Sequence, residues 1–457
     1  MGTHRERFAP IALACLFAGL FLLALRQSLG SNAAAPLLAI LIAALPALAI
    51  AAWRNPFVFP YGAYAIFVPL NLLLVVPAFG TVARLLGIFA GAAFLVWSLR
   101  ARRIVTPSPA LFGWGLFVAL MGASLIWTMN PENGWRELGV LAQVFLLYAI
   151  VSIAPVRAPD LRLVFALIVA GGIAAALLGI HQFQHPSSAQ LLLAQKTDRV
   201  PLFLADQTLD INEFAAAFLL PVALLAVTAL RARNWLLKGL AGCGIAVMLA
   251  AMAFAASRGA FLALGVMLAY LIVAMPRERI QVFAMLGFTG ALVAADPTLV
   301  HRFLSAAASG GSGRLSIWSV GFNAFKEHWI FGAGSGAFAN AYDESFLRVY
   351  QAYDMGWSRA AHNLLLQNAV ELGAIGAAVL LVALVLQVRI LPKVADGDAL
   401  FGMRTALMAA TVALLAASVF IDLTTAKMLW LTFGLAAQVR GVILQKKAAK
   451  TINKPMV

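Results

Sequence analysis

Residues 235–274 read WLLKGLAGCGIAVMLAAMAFAASRGAFLALGVMLAYLIVA. Two apolar runs, 235–256 and 259–274, are separated only by the break around Ser257-Arg258-Gly259. About 20 apolar residues is the length of helix that crosses a bilayer core. The stretch therefore predicts two membrane-crossing helices joined by a tight turn at the membrane surface, with an arginine in the turn.

The same pattern repeats outward in both directions. Apolar spans are predicted at 8–25, 33–52, 57–76, 82–98, 109–127, 135–153, 161–180, 212–230, 235–256, 259–274, 280–295, 363–388, 403–421 and 426–444. Pro69 and Pro77 mark 57–76 as a broken or re-entrant segment, so the expected total is 12–14 crossings. Composition agrees: 63% of the 457 residues are hydrophobic and 11% charged, against roughly 45–50% and about 25% in soluble proteins. Mean hydropathy is +0.92. Too little polar surface exists to clothe a water-soluble globule, and the fold class is an all-α polytopic membrane protein.

The formal net charge is +15, from 33 basic and 18 acidic residues. Cytoplasmic loops of membrane proteins are basic, which accounts for that excess without a nucleic-acid partner. His4, Arg5 and Arg7 at one terminus and Lys446, Lys447, Lys450 and Lys454 at the other place both termini in the cytoplasm. The loops carrying Arg100, Arg102 and Arg103, then Arg231, Arg233 and Lys238, then Arg277 and Arg279, then Arg389 and Lys393 fall on that same side. The first apolar run, with three basic residues ahead of it and Arg26 straight after, reads as a retained span. Cys15 and Cys243 both lie in apolar runs, so no disulfide framework is expected.

Two long polar segments, 181–211 and 296–362, then face the opposite side, which in a bacterium is the periplasm. The second is too long for a connector and should fold as a helical cap. The expected organisation is amino-terminal spans over 1–180, a periplasmic loop over 181–211, central spans over 212–295, a periplasmic helical cap over 296–362, and carboxyl-terminal spans with a cytoplasmic tail over 363–457.

Cations on that side run against the charge rule: Lys196, Arg199, Arg258, Arg302, Arg314, Lys326, Arg348 and Arg359. Some should pair with Asp296, Glu327, Asp343, Glu344 and Asp354. Arg258 stands closest to hydrocarbon, where an ionisable residue marks a functional site unless it snorkels to headgroups. Arg314 follows the flexible run Gly310-Gly311-Ser312-Gly313. Guanidinium groups grip phosphate oxygens two at a time, so the pair reads as a clamp for a lipid-borne phosphate or diphosphate.

His362 stands where the large segment re-enters the membrane. A histidine there is either an interfacial cap or a general base, since neutral imidazole can take a proton from a sugar hydroxyl. Asn363, Gln367 and Glu371 recur every four residues, which makes a polar stripe on one helix face. Such a stripe is costly in a bilayer unless it faces a cavity. Gly332-Ala333-Gly334-Ser335-Gly336 has neither a preceding strand nor a following Lys-Ser or Lys-Thr and reads as a turn, not a nucleotide loop. His181, His185, His301 and His328 lack metal-ligand spacing, so no metal is expected. Gly373 and Ala377, four apart, read as helix packing.

In this order, Ser257-Arg258-Gly259-Ala260, then Gly313-Arg314 with Trp318 and the glycine-rich turn ending at Phe338, then His362-Asn363 with Glu371-Leu372-Gly373, the chain resembles the O-antigen ligase and polymerase superfamily of bacterial inner-membrane glycosyltransferases. Asp210-Ile211-Asn212-Glu213-Phe214-Ala215 adds to the likeness, which covers about residues 205–390. One departure is visible: members often carry proline just before the glycine-rich turn, where this chain has Trp329-Ile330-Phe331.

The resemblance implies a GT-C-like helical fold, a donor glycan on undecaprenyl diphosphate, and metal-independent, inverting transfer without a cofactor. It implies that Arg258 and Arg314 hold the leaving diphosphate and that His362 is the base. Chain length favours the ligase, whose acceptor is lipid A-core oligosaccharide. Lys196, Arg199 and Arg302 would then suit an anionic core, with Asn363, Gln367 and Glu371 as further substrate contacts. An O-antigen polymerase shares the donor and topology. A flippase for lipid-linked sugars, the rival of another class, would be expected to show pseudo-symmetric repeats, and none is visible.

Overall fold

The computed structural model of the chain describes Leu48 and residues 50–71, 75–76, 80–101, 104–197, 202–204, 207–308, 313–349 and 356–452. Its helices are α1 Tyr61–Phe67, α2 Val82–Ala101, α3 Pro109–Ala123, α4 Pro131–Ile153, α5 Ala158–Gln184, α6 Ser188–Thr197, α7 Ile211–Ala216, α8 Leu219–Arg231, α9 Trp235–Phe254, α10 Arg258–Ala274, α11 Arg279–Ala295, α12 Pro297–Ala308, α13 Arg314–Glu327, α14 Phe338–Val349, α15 Leu364–Val388, α16 Phe401–Ala417 and α17 Lys427–Ile452. Two short antiparallel ribbons, Val75–Val76 with Gly80–Thr81 and Leu202–Leu204 with Gln207–Leu209, are minor additions.

Among the described residues, nine helices are long and apolar enough to cross a membrane, and α10 and α16 are shorter apolar helices. The protein is an all-α multi-pass membrane protein. Residues 1–47, which hold the first expected span and most of the second, lie outside the described residues. The segment 57–76 differs from the expectation of a possible crossing. Among its described residues the one helix, α1, has seven residues, about 10 Å of rise, far short of a bilayer core. All of α1 is buried, and non-helical backbone at membrane depth is tolerated when protein surrounds it.

Several bundle helices begin on a side-chain cap. Asn130 accepts from the Asn133 amide with Pro131 at the first helical position, Asp210 from Asn212 and Glu213, Asn234 from Leu236, and Asn363 from Leu366. These caps satisfy amides that have no partner within the helix. Alanine-rich α16 is buried on most of its faces and packs against α8 and α10; small side chains let membrane helices approach closely. Phe112, Leu116, Val273, Ile280, Leu381 and Val382 are exposed, as a lipid-facing surface requires.

Ion pairs and backbone bonds define the two ends of the bundle. At one end Arg231 and Arg277 both grip Asp396, at 2.5 and 2.8 Å, and Lys446 meets Asp398 at 2.7 Å. Arg440 reaches the Thr106 carbonyl at 2.7 Å. The basic loops predicted to share a side therefore do share one. At the other end α13 and α14 build a small core of their own, with Val320, Ala324, Phe338 and Tyr342 packed together and Val370 of α15 beneath them. Arg348 pairs there with Glu327 and Glu344, both at 2.8 Å.

Candidate active site

The turn 418–426 between α16 and α17 organises this second end. The Leu364 amide donates to the Ser418 carbonyl at 2.9 Å, and the Asn363 side-chain amide to the Val419 carbonyl at 3.1 Å. On the other side, the Trp318 indole of α13 donates to the Ala361 carbonyl at 2.9 Å. His362 is held between these two anchors with φ +47°, a left-handed conformation. Non-glycine residues held there cost roughly 1–3 kcal/mol and cluster at functional sites.

The His362 charge acts on Asp422. Asp422 is fixed in its turn by Thr424, whose amide donates to Oδ1 at 2.9 Å and whose hydroxyl donates at 2.5 Å. The same hydroxyl accepts from Asn368 Nδ2 at 3.0 Å, and Asn368 also donates to the Leu364 carbonyl at 2.7 Å. The chain Asn368–Thr424–Asp422 thus ties the acid to the helix that His362 introduces. Asp422 keeps solvent access while protein encloses it from several elements. That enclosure raises its carboxyl above the usual range, and the Thr424 bonds and the His362 charge oppose the rise.

Phe420, in the same turn, brings in the arginines. The Arg314 guanidinium lies 5.8 Å from the centre of its ring. Gly259 packs against it so closely that a β-carbon there would stand 3.1 Å from Phe420 Cβ. Arg258 and Arg314 are half-buried and engaged with neighbouring groups. Ser257, ahead of Arg258, does not cap its own helix and donates instead to Asn212 Oδ1 at 3.2 Å.

Arg258, Arg314 and Lys427 each occupy the first position of a helix. A helix start carries partial positive charge, so cations placed there raise a field that favours an anion. An arginine pair in such a field, beside a histidine with a carboxylate partner, can hold a diphosphate and take a proton from a hydroxyl.

The polar stripe on α15 has another use. Glu371, 1% exposed, accepts from the Gly336 amide at 3.0 Å, the Phe338 amide at 3.4 Å and Gln367 Nε2 at 2.6 Å. Gly332, Gly334 and Gly336 all have positive φ, and their turn is laced down from both sides. Thr128 donates to the Ser335 carbonyl at 2.7 Å, Asn133 to Gly336 at 2.9 Å, and the Gly334 amide to the Glu371 carbonyl at 2.8 Å. Against the expectation from spacing, Gln367 and Glu371 face this turn, not an open cavity, and Asn363 is committed to Val419. Gly373 is likewise a break in α15, with φ +67° and the Ile330 carbonyl against it, not a packing residue of a continuous helix.

Lys196 lies on α6 and Arg302 on α12, neither with a described side chain, and Arg199 lies outside the described residues. The sequence reading missed Asp422, Asn368, Glu213 and Lys427. Signals pointed to two of them: Asp422 is the one acid after Asp398, and Lys427 is a charge within a predicted span.

Comparison with known families matches residues 243–381 to a family described as O-antigen ligase. No curated protein matches the chain. The matched stretch holds Arg258, Arg314, the glycine-rich turn and His362, and ends before Asp422 and Lys427.

Proposed function

We propose that this chain, whose residues 243–381 match the O-antigen ligase family, moves a polysaccharide from undecaprenyl diphosphate to lipid A-core oligosaccharide. The family supports transfer of the O-antigen ligase or polymerase type; the choice of donor, acceptor and residues is the present reading. It rests on the convergence of His362, Asp422, Arg314 and the Arg258 helix start on the single turn 418–426.

In the proposed reaction the acceptor hydroxyl oxygen attacks the anomeric carbon as the bond from that carbon to the diphosphate oxygen breaks. The proton passes to His362, and the electron pair leaves with the diphosphate. Arg258 and Arg314 stabilise the charge that grows on the leaving group, the role that preorganised cations fill best in an enclosed site. Asp422 orients the imidazole and steadies the imidazolium that forms. Direct displacement inverts the anomeric centre. None of these steps assigns a role to a metal ion or cofactor.

The same reading sets the His362 end, with segment 296–362 as its cap, in the periplasm of a bacterial inner membrane. The Asp396 end and both termini then lie in the cytoplasm, in line with the basic loops gathered there. The test is the lipopolysaccharide profile and lipid-linked glycan pool of cells lacking the gene, complemented with wild type or His362→Ala. Core-only lipopolysaccharide with long polymer left on the lipid carrier supports a ligase. Lipopolysaccharide capped with one repeat unit makes the chain a polymerase. Wild-type lipopolysaccharide with His362→Ala removes the base.

A further inference from the structure

The segment Trp329–Gly336 mends a break in α15. At Gly373 that helix leaves helical geometry, with φ +67° and ψ −167°. In an unbroken helix the Ala374 and Ile375 amides would donate to the Val370 and Glu371 carbonyls. Here the segment takes all four groups. Ala374 donates to the Trp329 carbonyl at 2.7 Å and Ile375 to the Ile330 carbonyl at 3.5 Å, while the Val370 and Glu371 carbonyls accept from Ala333 at 2.9 Å and Gly334 at 2.8 Å.

The rest of the turn's backbone is equally committed. Every amide from Gly332 to Gly336 has a protein partner: Gly332 donates to the His328 carbonyl at 2.9 Å, Ser335 to the Ser124 hydroxyl at 3.0 Å and Gly336 to Glu371 at 3.0 Å. The Ala333, Ser335 and Gly336 carbonyls accept from Met129, Thr128 and Asn133. A loop in water can leave such groups to the solvent, whereas beside hydrocarbon the protein must supply each partner. The turn meets that demand although it belongs to the cap.

Its outward side chains agree. Trp329 and Phe331 are 58% and 59% exposed, and Ile330 is exposed beside them. The Phe331 ring meets Trp127 edge to face at 6.1 Å, and Ile126, next to Trp127, is exposed as well. A contiguous apolar patch of this kind marks a membrane or protein contact. It continues into surface that faces lipid: Ile375, bonded to Ile330, is exposed, and Val382, also exposed, follows seven residues later on the same face of α15. Tryptophan at the edge of such a surface settles at headgroup level.

We propose that Trp329, Ile330 and Phe331 seat the glycine-rich turn in the headgroup–acyl boundary of the leaflet at this end of the bundle, mooring the cap through lipid. α13 runs from Arg314 to Glu327, just ahead of the turn, so the mooring fixes the far end of the helix that presents Arg314. Lipid contact here is independent of the transfer reaction proposed above.

The experiment uses the full chain in phospholipid nanodiscs, with Cys15 and Cys243 replaced by alanine and one nitroxide attached at Trp329→Cys or Phe331→Cys. Val382→Cys supplies the lipid reference and exposed Lys393→Cys the aqueous one. Power saturation compares the access of oxygen with that of a water-soluble nickel chelate. The expected ratio at 329 and 331 is about threefold or more above that at 393, with the melting temperature held. A ratio equal to that at 393 places the turn in water and overturns the proposal. Spin–spin broadening that vanishes on dilution with unlabelled chain means that a second copy covers the patch, which also overturns it. If neither cysteine variant folds, p-benzoylphenylalanine in place of Phe331 is irradiated in the same nanodiscs: a mass gain of one phospholipid supports the mooring, and a cross-linked dimer or an unmodified chain refutes it.

Discussion

Gly259 lies tightly against Phe420: a β-carbon would stand 3.1 Å from Phe420 Cβ. The contact sets how deeply the first turn of α10, and Arg258 with it, sinks toward the turn that carries Asp422. Gly259→Ala asks Phe420 to yield a few tenths of an ångström, whereas Gly259→Leu drives the two elements apart. Misplacement of about 1 Å can cost 10²-fold, so the leucine variant should lose roughly 10- to 100-fold in kcat/KM for donor and the alanine variant much less. Equal activity of both variants and wild type in a reconstituted transfer assay contradicts this role for the contact.

Asp422→Asn should reduce transfer by roughly 10² to 10⁴, the span of general-base catalysis, since it removes the negative partner of His362. The same change should stabilise the protein near neutral pH. The protein enclosing Asp422 raises its carboxyl above the ordinary value, so the fold favours the neutral acid, and ionisation as pH rises through that raised value costs stability, in part offset by the solvent the group still reaches. The melting temperature of the wild type should approach that of the variant as pH falls through that value. A variant less stable than wild type at pH 7 and equal at low pH would reverse the sign and refute the argument.

Glu371→Gln should destabilise the fold. Its two oxygens accept from Gly336, Phe338 and Gln367, and an amide nitrogen in place of either oxygen meets an N–H group head on. A buried donor left unsatisfied costs about 1–3 kcal/mol. The readout is the midpoint of thermal unfolding, with KM for both glycans unchanged in protein that stays folded. An unchanged midpoint with transfer lost would give Glu371 a chemical role instead.

At the opposite end, the hydrogen bond and charge of Arg231, with Arg277 behind it, hold the Asp396 carboxyl below its ordinary value. A depressed value means that its contribution is present above the unfolded carboxyl range and fades as pH falls through the folded value. Asp396→Asn should therefore lower the melting temperature slightly at pH 7, less in high salt and not at all at strongly acidic pH. Transfer by the folded variant should match wild type. A salt-independent deficit would mean that packing, not charge, joins these loops.

Apolar length made most of the architecture legible. Eleven predicted spans appear as helices with ends close to those read from the sequence, because a bilayer fixes both the length and the composition of what crosses it. Alternation of the spans then put Arg258, Arg314 and His362 at one end. Periodicity placed Gln367 and Glu371 on one face but carried no information about what faces them, which turned out to be the peptide amides of Gly336 and Phe338, 35 and 33 residues before Glu371. Asp422 was hidden for a related reason: one acid between two apolar runs looks like an ordinary loop residue until the loop is folded against His362. Near Pro56, Pro60 and Pro69, hydropathy saw a possible crossing where burial within protein supplies the same apolar signal.

His362 occupies a backbone position that glycine would fill without strain. Natural selection and a heat screen therefore pull on this codon in opposite directions. A library sorted only for resistance to unfolding should enrich glycine at 362 and return robust, well-behaved chains that have lost the imidazole.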